Sequence, residues 1–353
     1  PRCPFAVAQC SMPQMLAMVS EEQAVRCHRA VGLQGRDWPA AEPIDTARQQ
    51  ANSSGSAAII SGVDLQKRFV LPHQGGLISW KGGLPRLNRS SVLTAVSDVT
   101  LQVRKGEVLG VVGESGSGKS TLGRLLLRLS AADSGTLTFD GKPVDATPAP
   151  SFRRRAQIVF QSTNTSLNPR RTVGQILKRS LVRYGAFDGW AAEKEIDRLL
   201  DTVRLSPSYR HRYPHQLSGG EKQRVGIARA LSTKPDFVVC DEAVSALDVS
   251  VQAAILNLLA DLRDDTGVSY LFITHDIGVV AHIADRIAVM YRGKIVEEGP
   301  VDTIIHNPSH PYTKTLISAV PKISTHRDRR AGIVTVPTVA ERERARGLVG
   351  GAE

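Results

Sequence analysis

Apolar residues along this chain fall into short unbroken runs that alternate with stretches of helical spacing. Ala58 to Val63, Leu93 to Val103 and Glu107 to Val112 read as strands, and Gly75 to Gly83 reads as a loop between the first two. Leu122 to Leu129 is a leucine-rich helical pattern. Gly135 to Gly141 reads as a strand closing on an Asp-Gly turn, and Ala156 to Phe160 as another strand. From Val173 to about Leu205 the apolar positions take helical spacing, which predicts an all-α insert. A helix over Glu221 to Leu231 follows, then a buried strand at Phe237 to Cys240 and an amphipathic helix at Val251 to Leu262. Val268 to Thr274 and Ile287 to Tyr291 are further buried strands. Strands that are apolar on both faces and alternate with helices predict an α/β fold with a parallel sheet covered on both sides.

The flanks lack this order. Residues 31 to 57 are rich in Ala, Gln, Ser and Gly and read as a linker. From about Lys322 to 353 the chain is basic, polar and non-periodic and is expected to be mobile. No apolar run approaches the ~18–20 residues of a membrane-spanning helix, and no basic stretch followed by an apolar core marks a signal peptide. The expectation is a cytosolic chain that reaches a membrane only through a partner. The net charge of +11 over 353 residues suits anionic ligands. Arg153-Arg154-Arg155, Arg170-Arg171 and Lys178-Arg179 form one basic group, and the tail from Arg327 to Arg346 another. Neither carries the interleaved aromatics of a base-stacking surface, so both read as solvated faces and no nucleic-acid partner is expected.

Between the strand ending at Val112 and the helical pattern from Leu122 lies Gly113-Glu114-Ser115-Gly116-Ser117-Gly118-Lys119-Ser120-Thr121. Strand before and helix after are the context a phosphate-binding loop requires. Glycines let successive backbone N–H groups turn toward phosphate oxygens, and the helix start adds its positive end. Lys119 is placed to reach the β- and γ-phosphates, and Ser120 to ligate Mg²⁺.

Phe237-Val238-Val239-Cys240-Asp241-Glu242 is an apolar strand ending in two acids. Asp241 suits a Mg²⁺ ligand, direct or through water, and Glu242 suits a base that polarises a water for attack on the γ-phosphorus. Leu217-Ser218-Gly219-Gly220-Glu221 opens a helix. A capping box of Ser218 and Glu221 accounts for it taken alone. Beside the first loop, however, it offers N–H groups and a hydroxyl to a second phosphate, which one γ-phosphate in one chain does not need. The economical reading is a head-to-tail pair in which Ser218, Gly219 and Gly220 close the partner's nucleotide.

These motifs, with Gln161, Ser245-Ala246-Leu247-Asp248 and His275, occur in the order of an ABC-transporter ATP-binding subunit, which the chain resembles from about Ala58 to Pro321. The resemblance implies a P-loop ATPase with a RecA-like parallel-sheet core, an antiparallel β subdomain and an α-helical subdomain. It implies an ATPase domain over 58–297, with the helical subdomain at about 162–230. It further implies that Gln161 senses Mg²⁺ and the attacking water, that Asp248 lies at a dimer seam, and that His275 contacts the γ-phosphate. Phe69 matches the position whose ring stacks on adenine. Ser166-Leu167-Asn168-Pro169-Arg170-Arg171, Ser245 through Asn257, and His310-Pro311-Tyr312-Thr313 look like the dipeptide and oligopeptide importer branch, and 298–321 is similar to its C-terminal extension. That branch includes nickel importers. Ala243 stands where the branch usually has Pro, and Glu221-Lys222 replaces Gln and its neutral or basic neighbour; neither removes a catalytic group. The implied partners are a second ATPase domain, two transmembrane permease subunits and a substrate-binding protein, on the cytoplasmic face of the membrane.

A second class, a soluble ABC-type ATPase acting on nucleic acid or ribosomes, draws some support from the basic charge. Such proteins usually carry a long insertion between phosphate loop and helix-opening motif, and here that interval holds only a short helical insert.

Cys3, Cys10 and Cys27 cluster near the start. A cytosolic setting argues against disulfides. Three thiolates suit an iron–sulfur centre, or zinc with His28, although adjacent ligands Cys27 and His28 are sterically awkward; they can equally be unremarkable loop thiols. Pro1-Arg2-Cys3-Pro4-Phe5-Ala6 through Cys27-His28 also resembles the cysteine tail that closes peptide-permease ATPases, which in some members holds a [4Fe–4S] cluster. This chain lacks that tail's further upstream Cys. The resemblance implies the back half of a tandem protein, with 1–30 ending one ATPase and 31–57 linking to the next. Cys240, in a buried strand, reads as core.

Overall fold

The computed structural model describes residues 57–71, 78–81, 84–87, 91–162, 166–184, 189–245 and 247–319, and separately 17–20 and 23–25. It divides into two units, Pro1–Ser54 and Gly55–Glu353. In the first, β1 (Ala17–Ser20) pairs antiparallel with β2 (Gln23–Val25). Cys3, Cys10, Cys27 and His28, most of the linker, Ala246 and the tail from Lys322 lie outside the described residues.

The second unit is built on two sheets. β3 (Ala58–Leu71) and β6 (Ser91–Arg104) pair antiparallel over their length. Both are longer than their apolar runs, because several irregularities bend the pair and break the period-two pattern. Between them, β4 (Ile78–Lys81) pairs with β5 (Leu84–Leu87), so the stretch expected as a loop from Gly75 to Gly83 contains a strand. β8 (Ser134–Phe139) and β9 (Lys142–Pro143) complete a four-stranded sheet in the order β6-β3-β8-β9.

The larger sheet runs β10-β11-β12-β7-β13-β14. β7 (Val108–Val112), β10 (Ala156–Val159), β11 (Phe237–Asp241), β12 (Ser269–Thr274) and β13 (Arg286–Tyr291) are parallel. β14 (Lys294–Pro300) closes the edge antiparallel to β13. Successive side chains point to opposite faces, and the core divides accordingly. Leu109, Val111, Val239, Leu271, Ile273, Ala288 and Met290 share one apolar cluster with Leu122, Leu125 and Leu126 and with the antiparallel sheet. Val108, Val112, Val238, Cys240, Tyr270, Phe272 and Val289 face the remaining helices. Burial on both faces explains why these strands are unbroken apolar runs.

Helix α1 (Lys119–Leu126) follows the phosphate loop, and α2 (Pro150–Arg155) precedes β10. The expected insert consists of α3 (Val173–Arg183) and α4 (Gly189–Thr202), with α5 (Gly219–Leu231) packed on both. α6 (Val249–Thr266) and α7 (Ile277–Ile283) flank β12 in sequence. Beyond β14 come α8 (Val301–His306) and α9 (Pro311–Ser318).

Candidate nucleotide site

The sheet order brings the chemistry to one edge. β10, β11, β12 and β7 are adjacent and parallel, so the residues that follow them (Gln161, the Asp241-Glu242 pair, His275 and the loop from Gly113) emerge side by side. This carboxyl end of a parallel sheet is where α/β folds hold ligands.

Backbone geometry demands the loop's glycines. Gly113 has φ 154°, and a Cβ there would lie 2.1 Å from the Met290 carbonyl oxygen. Gly118 is the N-cap of α1 with φ 107°, and its Cβ would lie 2.1 Å from the Ala95 carbonyl oxygen. No side chain caps α1, so its first N–H groups remain for an anion. Lys119 is 4% exposed. Its Nζ donates to the Gly113 carbonyl at 2.8 Å, the Glu114 carbonyl at 2.7 Å and the Ser117 hydroxyl at 3.3 Å. Burial pulls its pKa down, while Glu242, Asp241 and Glu114 oppose that pull.

Ser120 Oγ donates to Asp241 Oδ1 at 2.7 Å. Burial pushes the Asp241 carboxyl up, against the Ser120 hydrogen bond and the charge of Arg124. Glu242 has φ 46°, a left-handed turn immediately after β11, and its N–H donates to the Ile273 carbonyl at 2.9 Å. Gln161 Nε2 donates to Glu242 Oε2 at 2.6 Å, and His275 Nδ1 lies 3.9 Å from Glu242 Oε1. The Ser120 hydroxyl, the Asp241 carboxylate and the Gln161 amide oxygen are all oxygen donors, the chemistry that fits a hard divalent cation. Among the described residues no cluster of three or more His, Cys, Asp or Glu is arranged to hold a metal by itself.

A groove of about 520 Å³ opens beside the loop. Ser115, Gly116, Gly118, Lys119, Ser120, Thr121, Gln161 and Glu242 line it, together with Phe69, Leu93, Thr94, Ala95, Arg292 and Gly293. Phe69 is 39% exposed, and Lys67 Nζ lies 5.7 Å from its ring centre. The sequence reading missed Arg292 and Gly293, at the turn between β13 and β14. Their only signal was an Arg-Gly pair after an apolar run. Gly293 N–H donates to the Ser117 carbonyl at 2.9 Å, which fixes this turn to the phosphate loop.

Ser218, Gly219, Gly220 and Asp248 are not part of this groove. Ser218 caps α5 in a full capping box: its hydroxyl accepts from Glu221 N at 3.3 Å, and Glu221 Oε2 accepts from Ser218 N at 2.7 Å. Glu221 Oε1 also accepts from the Tyr209 hydroxyl at 2.5 Å, the main reason its carboxyl is held below the usual range. A Cβ on Gly220 would lie 2.5 Å from Val251 Cγ1, and one on Gly219 3.5 Å from Leu247 Cδ2. The α5 start therefore sits against the α6 start, where Asp248 is the exposed N-cap. Within one chain the predicted residues thus form two groups: the groove set, and an exposed pair of helix starts.

Known proteins are similar to this chain. Residues 96–245 match the ABC transporter family, and residues 296–346 match the oligopeptide/dipeptide transporter C-terminal region. The glutathione import ATP-binding protein GsiA of Salmonella paratyphi A is 48% identical over 324 residues, covering 90% of this chain and 50% of that protein. The chain thus spans about half the length of that relative. The oligopeptide transport ATP-binding protein OppF of Bacillus subtilis is 47% identical over 232 residues, 64% of this chain and 76% of that protein. Among solved structures, the dimeric post-hydrolysis state of the ATP-binding cassette MJ0796 bound to ADP and Pi superposes with a TM-score of 0.58 at 27% identity, over 69% of this chain and 98% of that one. CbiO1 of Clostridium perfringens gives 0.59 at 25% identity, over 71% and 91%. Two family matches in sequence order, and a relative 47% identical of which this chain covers 76%, make this chain a member of the ABC transporter family, in the branch with the oligopeptide/dipeptide C-terminal region.

Proposed function

We propose that this chain hydrolyses ATP to power import of a peptide-class solute through a membrane permease. The observation that carries the reading is that Lys119, Ser120 with its partner Asp241, and the Gln161–Glu242 pair meet at one groove that Phe69 also lines. Phe69 would stack on the base, while the loop N–H groups and Lys119 hold the phosphates. Ser120, Asp241 and Gln161 would hold Mg²⁺, which neutralises phosphate charge when bound. Glu242 would accept a proton from the attacking water, with Gln161 fixing its carboxylate and His275 reaching the γ-phosphate.

The site is read as composite. Ser218, Gly219, Gly220 and Asp248 would close the groove of a second ATPase domain, and that domain would return the favour. The remaining partners in this reading are two permease subunits and a substrate-binding protein, with the chain peripheral on the cytoplasmic face. Relatives named for glutathione and oligopeptide transport support a peptide cargo. The tandem reading is supported by a relative of about twice this length. For the amino-terminal cysteines we propose a [4Fe–4S] centre. Cys3, Cys10 and Cys27 are one thiolate short of the usual four, so iron and sulfide analysis of the intact polypeptide decides it.

The test of the whole reading is ATPase activity of the assembled transporter. Stimulation by a peptide-loaded binding protein, and co-isolation with a permease, are expected. Stimulation by DNA or RNA instead would overturn it.

A further inference from the structure

The C-terminal extension touches the phosphate loop. Tyr312, in the first turn of α9, receives a hydrogen bond on its hydroxyl from the Glu114 N–H at 2.9 Å. The two residues are 198 positions apart. The contact is held from several sides. The Tyr312 ring packs on Tyr291, centroids 4.2 Å apart. Tyr291 ends β13 and precedes Arg292, whose guanidinium lies 5.1 Å from the Tyr291 ring centre and which also lines the groove. Glu297 of β14 accepts from the Ser309 and His310 N–H groups at 2.6 and 3.1 Å. His310 Nδ1 accepts from Tyr312 N at 3.1 Å and so caps α9, with Pro311 at its first position, where a missing N–H costs nothing.

Resting on the ATP-binding reading, we propose that Tyr312 is a positioning residue for nucleotide: it braces the Gly113–Glu114 peptide from the extension. The geometry gives the reason. Glu114 is gripped on both sides, its N–H by Tyr312 and its carbonyl by Lys119 Nζ at 2.7 Å. Gly113, next to it, carries no Cβ to resist rotation. Releasing the N–H lets that peptide turn and draws the Lys119 tether with it, so the cation loses its fixed place facing the phosphates. Binding free energies are reciprocal, so nucleotide in the groove should in turn tighten the seat of the extension.

The test is Tyr312→Phe in the full chain, which keeps the ring stack and deletes only the acceptor. ATP affinity, read by displacement of a fluorescent analogue, is expected to weaken about two- to ten-fold, as for loss of one neutral hydrogen bond. In the assembled transporter the loss should fall on KM for ATP more than on kcat. Amide hydrogen exchange supplies a second readout, with Glu114 expected to lose protection in the variant. Lys119→Ala is the reference. If Lys119→Ala loses ATP while Tyr312→Phe binds it like the parent and Glu114 keeps its protection, the brace is refuted and the ATP site stands. If Lys119→Ala also binds ATP normally, both readings fall.

Discussion

Replacing Glu242 with Gln separates two roles of that side chain. Glu242→Gln keeps the volume and one acceptor oxygen, so Gln161 Nε2, now 2.6 Å from Oε2, can still donate to it. What disappears is the charge. A hydrogen bond to a charged group contributes ~1.5–3 kcal/mol and a neutral one ~0.5–1.5, so the weakened Gln161 contact costs about 1 kcal/mol. That corresponds to roughly a five-fold drop in rate. Removing a general base costs ~10²–10⁴-fold, about 2.7–5.5 kcal/mol of barrier. The two explanations are therefore well separated. The assay is steady-state phosphate release by the assembled transporter, with ATP binding measured in parallel. Binding should persist, because Glu242 contributes no positive charge to the phosphate end and its removal relieves repulsion. Turnover should fall by at least a hundred-fold. If Glu242→Gln slowed turnover only about five-fold, the carboxylate would be a positioning group and the assignment of the base would be wrong.

Lys119→Ala removes the buried cation and should weaken ATP by at least ten-fold, as judged by titration with a fluorescent analogue; unchanged affinity would count against the cradle. Gly118→Ala forces a Cβ to within 2.1 Å of the Ala95 carbonyl at φ 107°, so ATP binding should fail while circular dichroism stays close to the parent; normal binding would show that the loop tolerates another path. Asp241→Asn should stabilise the nucleotide-free chain while abolishing hydrolysis. Burial raises the Asp241 pKa in the folded state, so the native state holds that proton more tightly than the unfolded chain. Stability is then lost as pH rises from the ordinary value of 3.8 through the folded pKa. Melting temperature at neutral pH should rise, and the gain should shrink as pH falls to the ordinary carboxylate range. A melting temperature that fell at neutral pH would reverse this account.

The parallel core was legible because both of its faces are buried, which leaves strands such as Val108–Val112 and Phe237–Asp241 with no polar interruption. The phosphate loop and the acid pair were legible because their spacing is local. The antiparallel strands were read short. Asp64 and Asp98 adopt positive φ inside β3 and β6, and bulges there break the alternation that marks a strand. β14 was missed because its residues are half-exposed at a sheet edge and carry Glu297 and Glu298. Helix α7 was missed as a short segment, although Asp276 caps it with bonds to Gly278 N and Val279 N. Arg292, Gly293 and Tyr312 could not be placed from sequence, since each reaches the groove or its loop through contacts between residues far apart in the chain.

The separation between the groove and the exposed starts of α5 and α6 has a kinetic consequence. If each chain supplies a pocket to itself and a lid to another, turnover by the isolated polypeptide should scale with the square of its concentration at high dilution. Joining two such modules by a flexible tether sets their mutual concentration near the millimolar range, whatever the cell's protein level. A tethered pair would then run at a rate set by nucleotide and cargo, and diluting it would leave the rate per molecule untouched.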